Sequence, residues 1–350
     1  MADHYRLLGG PGSPYSLKMR AVLRYRRLPH TWHVPRGYLG QAPELQKAAK
    51  GMIPVMQIPE GHYWADTTPM IYELEKRHAG ERSVIPDDAA LAFLSHLIED
   101  FGDELLVQPM FAYRWNSEFD QQFCSRRQMA GWLGAMPSAQ FDEIVSKFIA
   151  RQTGQLAAMG TLERNMPILE DVYVRTLDAG RTARRERLPL RLAARACRFR
   201  PLRQLSQCAI DPSASKLFKA RAPRAFQWVQ TLDDASGNEG TWRAPQAPAP
   251  RGLANMLGLV AEVHIPYLSA NAQATAEGRS TVELQFAGRD FVTKTSRYKT
   301  NCLGWLKAEL AGLGEDARVR IRAALNNEAA WTSLQASAAE LAAVPPLAPR

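Results

Sequence analysis

Cysteine is scarce in this chain. Four of its 350 residues are Cys, at positions 124, 197, 208 and 302, and no two of them stand at a paired spacing. That excludes a disulfide framework, and with no Cys/His cluster the sequence offers no zinc or other metal site. The cysteines read as ordinary thiols of a reducing compartment. An apolar run approaching the ~20 residues of a membrane span is missing too. The opening Met-Ala-Asp-His-Tyr-Arg lacks a secretory hydrophobic region, so the expected location is cytoplasmic. Internal repeats are absent. The seven histidines are scattered; His33 or His62 could line a cleft, but lone histidines are more often structural.

Positive charge is in excess, with a net +9, but it is poorly distributed for a nucleic-acid surface. Between Arg181 and Arg203 stand nine arginines and one acid, Glu186, a local balance of +8 that leaves +1 for the rest of the chain. A basic patch built by folding would draw on several elements, whereas this charge sits in one block. The remaining composition is globular, 46% hydrophobic and 23% charged, and the length suits two domains plus an extension.

The first eighty residues carry the clearest pattern. Tyr5-Arg6-Leu7-Leu8 reads as a short buried strand that breaks at Gly9-Gly10-Pro11-Gly12. Ser13 offers a hydroxyl N-cap and Pro14 a first-turn residue with preset φ, so a helix is predicted to start there. His30 to Val34 is a second strand candidate, and Met52 to Pro59 a third. Glu60-Gly61 turns that strand into His62-Tyr63-Trp64-Ala65, and Asp66-Thr67-Thr68-Pro69 opens a helix running to His78. A thioredoxin-like fold carries Cys-Pro-x-Cys after just such a strand and glycine turn. Here it reads Ser13-Pro14-Tyr15-Ser16, which cannot form a disulfide, so dithiol oxidoreductase chemistry is excluded for this motif.

Taken in order, Ser13-Pro14-Tyr15-Ser16, Ile53-Pro54 and Asp66-Thr67 resemble the N-terminal domain of the cytosolic glutathione S-transferases over roughly residues 4–80. The resemblance implies a thioredoxin-like α/β domain, an all-α second domain, a cleft between them, glutathione as co-substrate and a homodimer. Residue by residue, Asp66 and Thr67 would take the γ-glutamyl ammonium and carboxylate; the plain alternative is a helix N-cap. Pro54 would be cis, and the backbone of Ile53 would pair with the cysteinyl unit. Lys50 would meet the glycyl carboxylate. Ser13 would donate to the glutathione sulfur and favour its thiolate, the nucleophilic form, or else only cap its helix. Tyr15 and Ser16 are the runners-up for that hydroxyl.

Beyond a linker at 79–88, helical spacing is predicted from Ala89 to Trp115 with interruptions at Gly102 and Pro109, then over 141–157 and 162–177. Residues 180–203 break the pattern. The bland reading is a solvated basic loop. Permissible codons for Leu188 to Arg203, read one base later, can instead give Phe-Leu-Phe-Gly-Ser-Arg-Pro-Ala-Leu-Ala-Asp-Phe-Gly-Leu-Tyr-Gly. That text resembles the transferase turn and core helix whose start a buried aspartate caps, although the expected Ser or Thr three residues earlier is not recoverable. The expectation is a pair of compensating frameshifts, in the gene or in its reading. Downstream, Ala220 to Leu232 reads as helix, and 236–251 as a Pro/Ala linker. An α-rich extension at 252–343 follows, with a helix over 253–274, a β-prone stretch over 281–295, and helices through Trp305 and over 315–325. The tail from Val344 to Arg350 is expected to be disordered.

The domains so drawn are a glutathione-binding domain at 1–80, a helical domain at 87–235 and the extension. The implied reaction is attack of glutathione thiolate on a small electrophile. The alternatives are a non-catalytic glutathione-binding or protein-association module and, least favoured, a nucleic-acid-binding arm at 180–203.

Overall fold

A computed structural model describes residues 4–35, 42–48, 51–80, 82–182, 203–240, 242 and 244–349. The chain begins with β1 (Tyr5–Leu8), α1 (Pro14–Tyr25), β2 (His30–His33), a 3-10 turn at Pro43–Lys47, β3 (Val55–Gln57), β4 (Tyr63–Ala65) and α2 (Thr67–Arg77). The sheet order is β2-β1-β3-β4, with β1 parallel to β2 and the other pairs antiparallel. This is the expected thioredoxin-like α/β fold. Its apolar residues pack on both faces of the sheet. Leu7, Met19, Val22, Leu23, Met56, Ile71 and Leu74 form one cluster, and Leu8, Leu45, Val55 and Ala65 another.

A helical array follows: α3 (Ala89–Glu104), α4 (Val107–Trp115), α5 (Glu118–Leu133), α6 (Ser138–Thr153), α7 (Met166–Thr182), α8 (Arg203–Cys208), α9 (Pro212–Arg221) and α10 (Pro223–Thr231). Asp88 caps α3 by accepting from Leu91 N at 2.9 Å. Gly102 is absorbed inside α3, and the break falls at 105–106 instead. Pro109 sits in the first turn of α4, where a missing N–H leaves no intrahelical bond unmade. The helix expected over 220–232 is divided, because Ala222 precedes Pro223 and is driven to φ −140 and ψ 61. Of the arginine-rich stretch at 180–203, on which the frameshift expectation falls, residues 183–202 lie outside those described.

The extension comprises α11 (Arg251–Leu259), α12 (Ile265–Ala276), β5 (Thr281–Phe286), β6 (Arg289–Lys294), α13 (Arg297–Ala311), α14 (Glu315–Leu325), α15 (Glu328–Ser333) and α16 (Ala338–Ala342). A wide π turn at Val260–His264 joins α11 to α12. Pro266 lies just beyond it and has no N–H to continue the i→i−4 ladder, which accounts for the widened turn. The β-prone stretch is a hairpin turning at Ala287 and Gly288, both at positive φ, as a tight right-twisting hairpin demands. The extension shares a core with α3: Phe93, Leu97 and Phe101 are buried against Leu257, Val260, Leu268, Leu306 and Ile321. The tail differs from expectation. Trp305 Nε1 donates to Pro345 O at 2.7 Å, and Val344 lies against Gly304, so residues 344 and 345 dock on α13.

Candidate functional site

The sheet register assembles the site. Leu8 pairs with Val55 and Val55 with Ala65. One residue further along each strand, Gly9, Pro54 and Asp66 therefore lie side by side at one end of the sheet, where α1 and α2 begin. The Ile53-Pro54 peptide bond is cis. The glycine loop is covered from above by α5. A Cβ on Gly10 would lie 2.9 Å from Trp132 Nε1 and 3.1 Å from Ile53 Cδ1, and one on Gly12 would collide with Gln128 Cγ at 2.4 Å. Only glycine lets the backbone pass this close beneath Trp132 and Gln128.

Ser13 holds the N-cap position of α1, at φ −98 and ψ 117, and its hydroxyl accepts from Ser16 N at 3.3 Å. Accepting leaves the hydroxyl proton available, so capping and donation to a ligand are compatible at one atom. The other two hydroxyls of the motif are placed differently. Tyr15 donates to Asp103 O at 2.7 Å, and burial pushes its phenol well above the usual range. Ser16 is fully buried under the loop, with its Cβ where a side chain on Gly9 would have to stand.

Asp66 occupies the N-cap position of α2 but does not cap it with its side chain. Its backbone sits at φ 80, a conformation that non-glycine residues rarely adopt. Tyr298 of α13 donates to Asp66 Oδ1 at 2.8 Å. Thr67, equally buried, accepts at Oγ1 from Lys18 Nζ at 3.1 Å. Lys18 is inaccessible to solvent and also meets Glu99 Oε1 at 2.5 Å and Asp103 Oδ2 at 2.6 Å. Its three N–H groups are thus matched by three oxygens. Because Thr67 Oγ1 accepts, its own proton points elsewhere, and among the described residues nothing takes it.

A second buried cation holds the loop from behind. Arg114 of α4 donates to Gly12 O at 3.1 Å, Asp211 Oδ2 at 2.7 Å and Gln207 Oε1 at 2.8 Å. Gln207 Nε2 donates in turn to Pro11 O at 3.2 Å. The N-terminal unit and the helical array are therefore joined through the backbone of the residues that precede Ser13.

Of the residues singled out in the sequence, Ile53, Pro54, Asp66 and Thr67 stand at the strand ends beside the loop that leads to Ser13. Lys50 lies outside the described residues. Sequence reasoning missed Lys18, Arg114, Trp132 and Tyr298. One signal was present for the first: Glu99 and Asp103, four apart on a helix, share a face, and two carboxylates on an otherwise apolar face call for a cation. Burial pushes the thiols of Cys124, Cys208 and Cys302 up, leaving them unreactive. Among the described residues no group of three or more His, Cys, Asp or Glu could hold a metal ion, and no helix is long and apolar enough to cross a membrane.

The family model described as glutathione S-transferase, N-terminal domain, matches residues 7–82. No curated protein matches the chain. Solved structures that resemble it include a glutathione S-transferase from Methylobacterium radiotolerans in complex with glutathione sulfonate. That one is 15% identical with a TM-score of 0.41, and the match covers 70% of this chain and 99% of that one. A glutathione transferase family member from Pseudomonas fluorescens with bound glutathione is 15% identical with a TM-score of 0.33, covering 65% and 93%. The Tau class enzyme from mango, Mangifera indica, is 15% identical with a TM-score of 0.35, covering 65% and 87%. Residues 7–82 of this chain are thus similar to the N-terminal domain of the glutathione S-transferases.

Proposed function

We propose that this protein binds glutathione at the strand ends around Pro54 and adds its thiolate to a small electrophile. One observation carries the proposal: the adjoining pair Asp66 and Thr67. The buried carboxylate leaves its own helix uncapped and is held on an unfavourable backbone, while the neighbouring hydroxyl has a proton to donate. A residue that were only an N-cap would bond its own helix, and strain of this kind persists where the surroundings impose it for a use. An acceptor beside a donor is the complement of an amino-acid end, with the ammonium on Asp66 and the carboxylate on Thr67 and the α2 N-terminus.

The cysteinyl backbone would pair with Ile53, and Lys50 would meet the glycyl carboxylate. The sulfur would lie at the start of α1, where the Ser13 hydroxyl and the helix N-terminus favour the thiolate. The thiol proton leaves to solvent, the sulfur lone pair forms a bond to the electrophilic carbon, and the leaving group departs with its bonding pair. In this scheme residues 1–80 bind glutathione, 87–235 face the acceptor and 252–343 brace the site. The protein works as a homodimer.

Calorimetric titration with glutathione, together with thioether formation from a chloro-dinitrobenzene, tests the proposal. Saturable binding and conjugation above the uncatalysed rate are expected. Binding without conjugation would make the protein a non-catalytic glutathione-binding module, and absence of binding would remove the reading altogether.

A further inference from the structure

The residue that meets Asp66 comes from 232 positions along the chain, in the extension. Its approach is fixed from several sides. Asn271, fully buried in α12, donates to Ser296 O at 2.9 Å and accepts from Ser296 N at 2.8 Å, which clamps the start of α13. Ser296 then caps α13 by accepting from Lys299 N. Lys299 Nζ reaches across to Glu104 Oε2 on α3 at 2.8 Å. The Tyr298 ring meets Trp305 edge to face at 5.8 Å, and Trp305 is itself tied to the tail through Pro345. The phenol is thus delivered to Asp66 by a helix start that cannot shift without breaking the Asn271 and Lys299 contacts together.

We propose that Tyr298 is a positioning residue of the γ-glutamyl subsite, so that the C-terminal extension helps to select ligands bearing a free α-amino group. This rests on the reading of the site as a glutathione site. By donating to Oδ1, the phenol orients a carboxylate whose oxygens only accept, which suits an ammonium and not a second acceptor. Lys18 acts in the same way on the neighbour: by donating to Thr67 Oγ1 it turns that hydroxyl into a donor, which suits a carboxylate. An oriented acceptor at Asp66 thus stands beside a hydroxyl set to donate at Thr67. A blocking role for Tyr298 would require the phenol to leave when ligand enters, and the clamped start of α13 argues against such movement.

The test compares glutathione with its analogue lacking the α-amino group, in which glutaryl replaces γ-glutamyl, by calorimetry on the full chain. Glutathione binding by the wild-type protein comes first, since its absence would sink the site reading itself and this proposal with it. Tyr298→Phe, matched to wild type in melting temperature, should then lose about tenfold or more in glutathione affinity while its affinity for the analogue stays the same. In an Asp66→Asn background the Tyr298→Phe change should cost nothing further, because the coupling runs through the carboxylate. Equal losses for both ligands, the same loss in both backgrounds, unchanged affinity or tighter binding by Tyr298→Phe would each overturn the proposal, the last by making Tyr298 a plug.

Discussion

Replacing Lys18 with Met should destabilise the protein far more than a change on an exposed helix face. The ammonium has no solvent exposure and stands 2.5 Å from Glu99 Oε1 and 2.6 Å from Asp103 Oδ2, one of which is wholly inaccessible. Met fits the volume of the stem but leaves two carboxylates buried without a cation. Breaking a buried ion pair from one side costs about 3–5 kcal/mol, because each carboxyl left behind must stay charged without a cation or take up a proton. Loss of the bond to Thr67 adds a smaller amount. The assay is urea denaturation followed by far-UV circular dichroism, with wild type, Lys18→Met and Lys18→Met/Glu99→Gln/Asp103→Asn compared at one pH. The single variant should lose about 3–5 kcal/mol, and the triple variant should recover most of it, since neutral amides no longer demand the cation. A single variant within about 1 kcal/mol of wild type, or a triple variant no better than the single, would refute the role assigned to this cluster.

The same cluster predicts a pH dependence. Burial pushes the Asp103 carboxyl up to about 7 against the pull of Lys18, with Glu99 adding to the rise. Between the unfolded value near 4 and that level, the folded state holds a proton that the unfolded chain has lost, so this group's stabilising contribution falls as pH rises across the window and is level above it. Thermal melting from pH 4 to 8 should show that slope in wild type and not in Asp103→Asn; parallel curves would contradict it. Arg114→Lys keeps the charge but not the planar fork that joins Asp211, Gln207 and Gly12 O. Losing one hydrogen bond of a charged group should lower stability by about 1.5–3 kcal/mol, and turnover should fall with the loosened loop; a variant equal to wild type in both would show that the loop holds without Arg114.

What could be read from the sequence was what is decided locally. Ser13-Pro14 after a glycine run marks a helix start whatever the rest of the chain does, and Asp66-Thr67 marks another. Strand pairing then needs only the alternation of three short apolar runs, and their register puts Gly9, Pro54 and Asp66 together. Lys18 looked like one more polar residue on α1, and only the packing of α3 against it gives it two carboxylates. Arg114 and Asp211 are 97 residues apart, and Tyr298 reaches Asp66 from the extension, so neither pairing leaves a local trace. The tail failed for the opposite reason: Pro-rich composition argues for disorder, but Trp305 supplies a donor that fixes the Pro345 carbonyl. Helix ends moved by a few residues wherever Gly or Pro could be accommodated in a first or last turn.

The central claim, that Ser13 faces the sulfur of bound glutathione, is tested most directly by the ultraviolet absorbance of the thiolate, titrated against pH in wild type and in Ser13→Ala. Ser13 both caps α1 and keeps a proton to donate. Loss of the cap alone costs around 1 kcal/mol of stability, while loss of a hydrogen bond to an anionic sulfur is worth roughly 1.5–3 kcal/mol, or one to two pH units in the thiol pKa. The expected result is a thiolate titration displaced upward by one to two units in Ser13→Ala, with glutathione affinity nearly unchanged, because the proposed binding mode holds the ligand through Asp66, Thr67 and Ile53. An unchanged titration in a variant that only melts lower would contradict the claim and leave Ser13 as a helix cap.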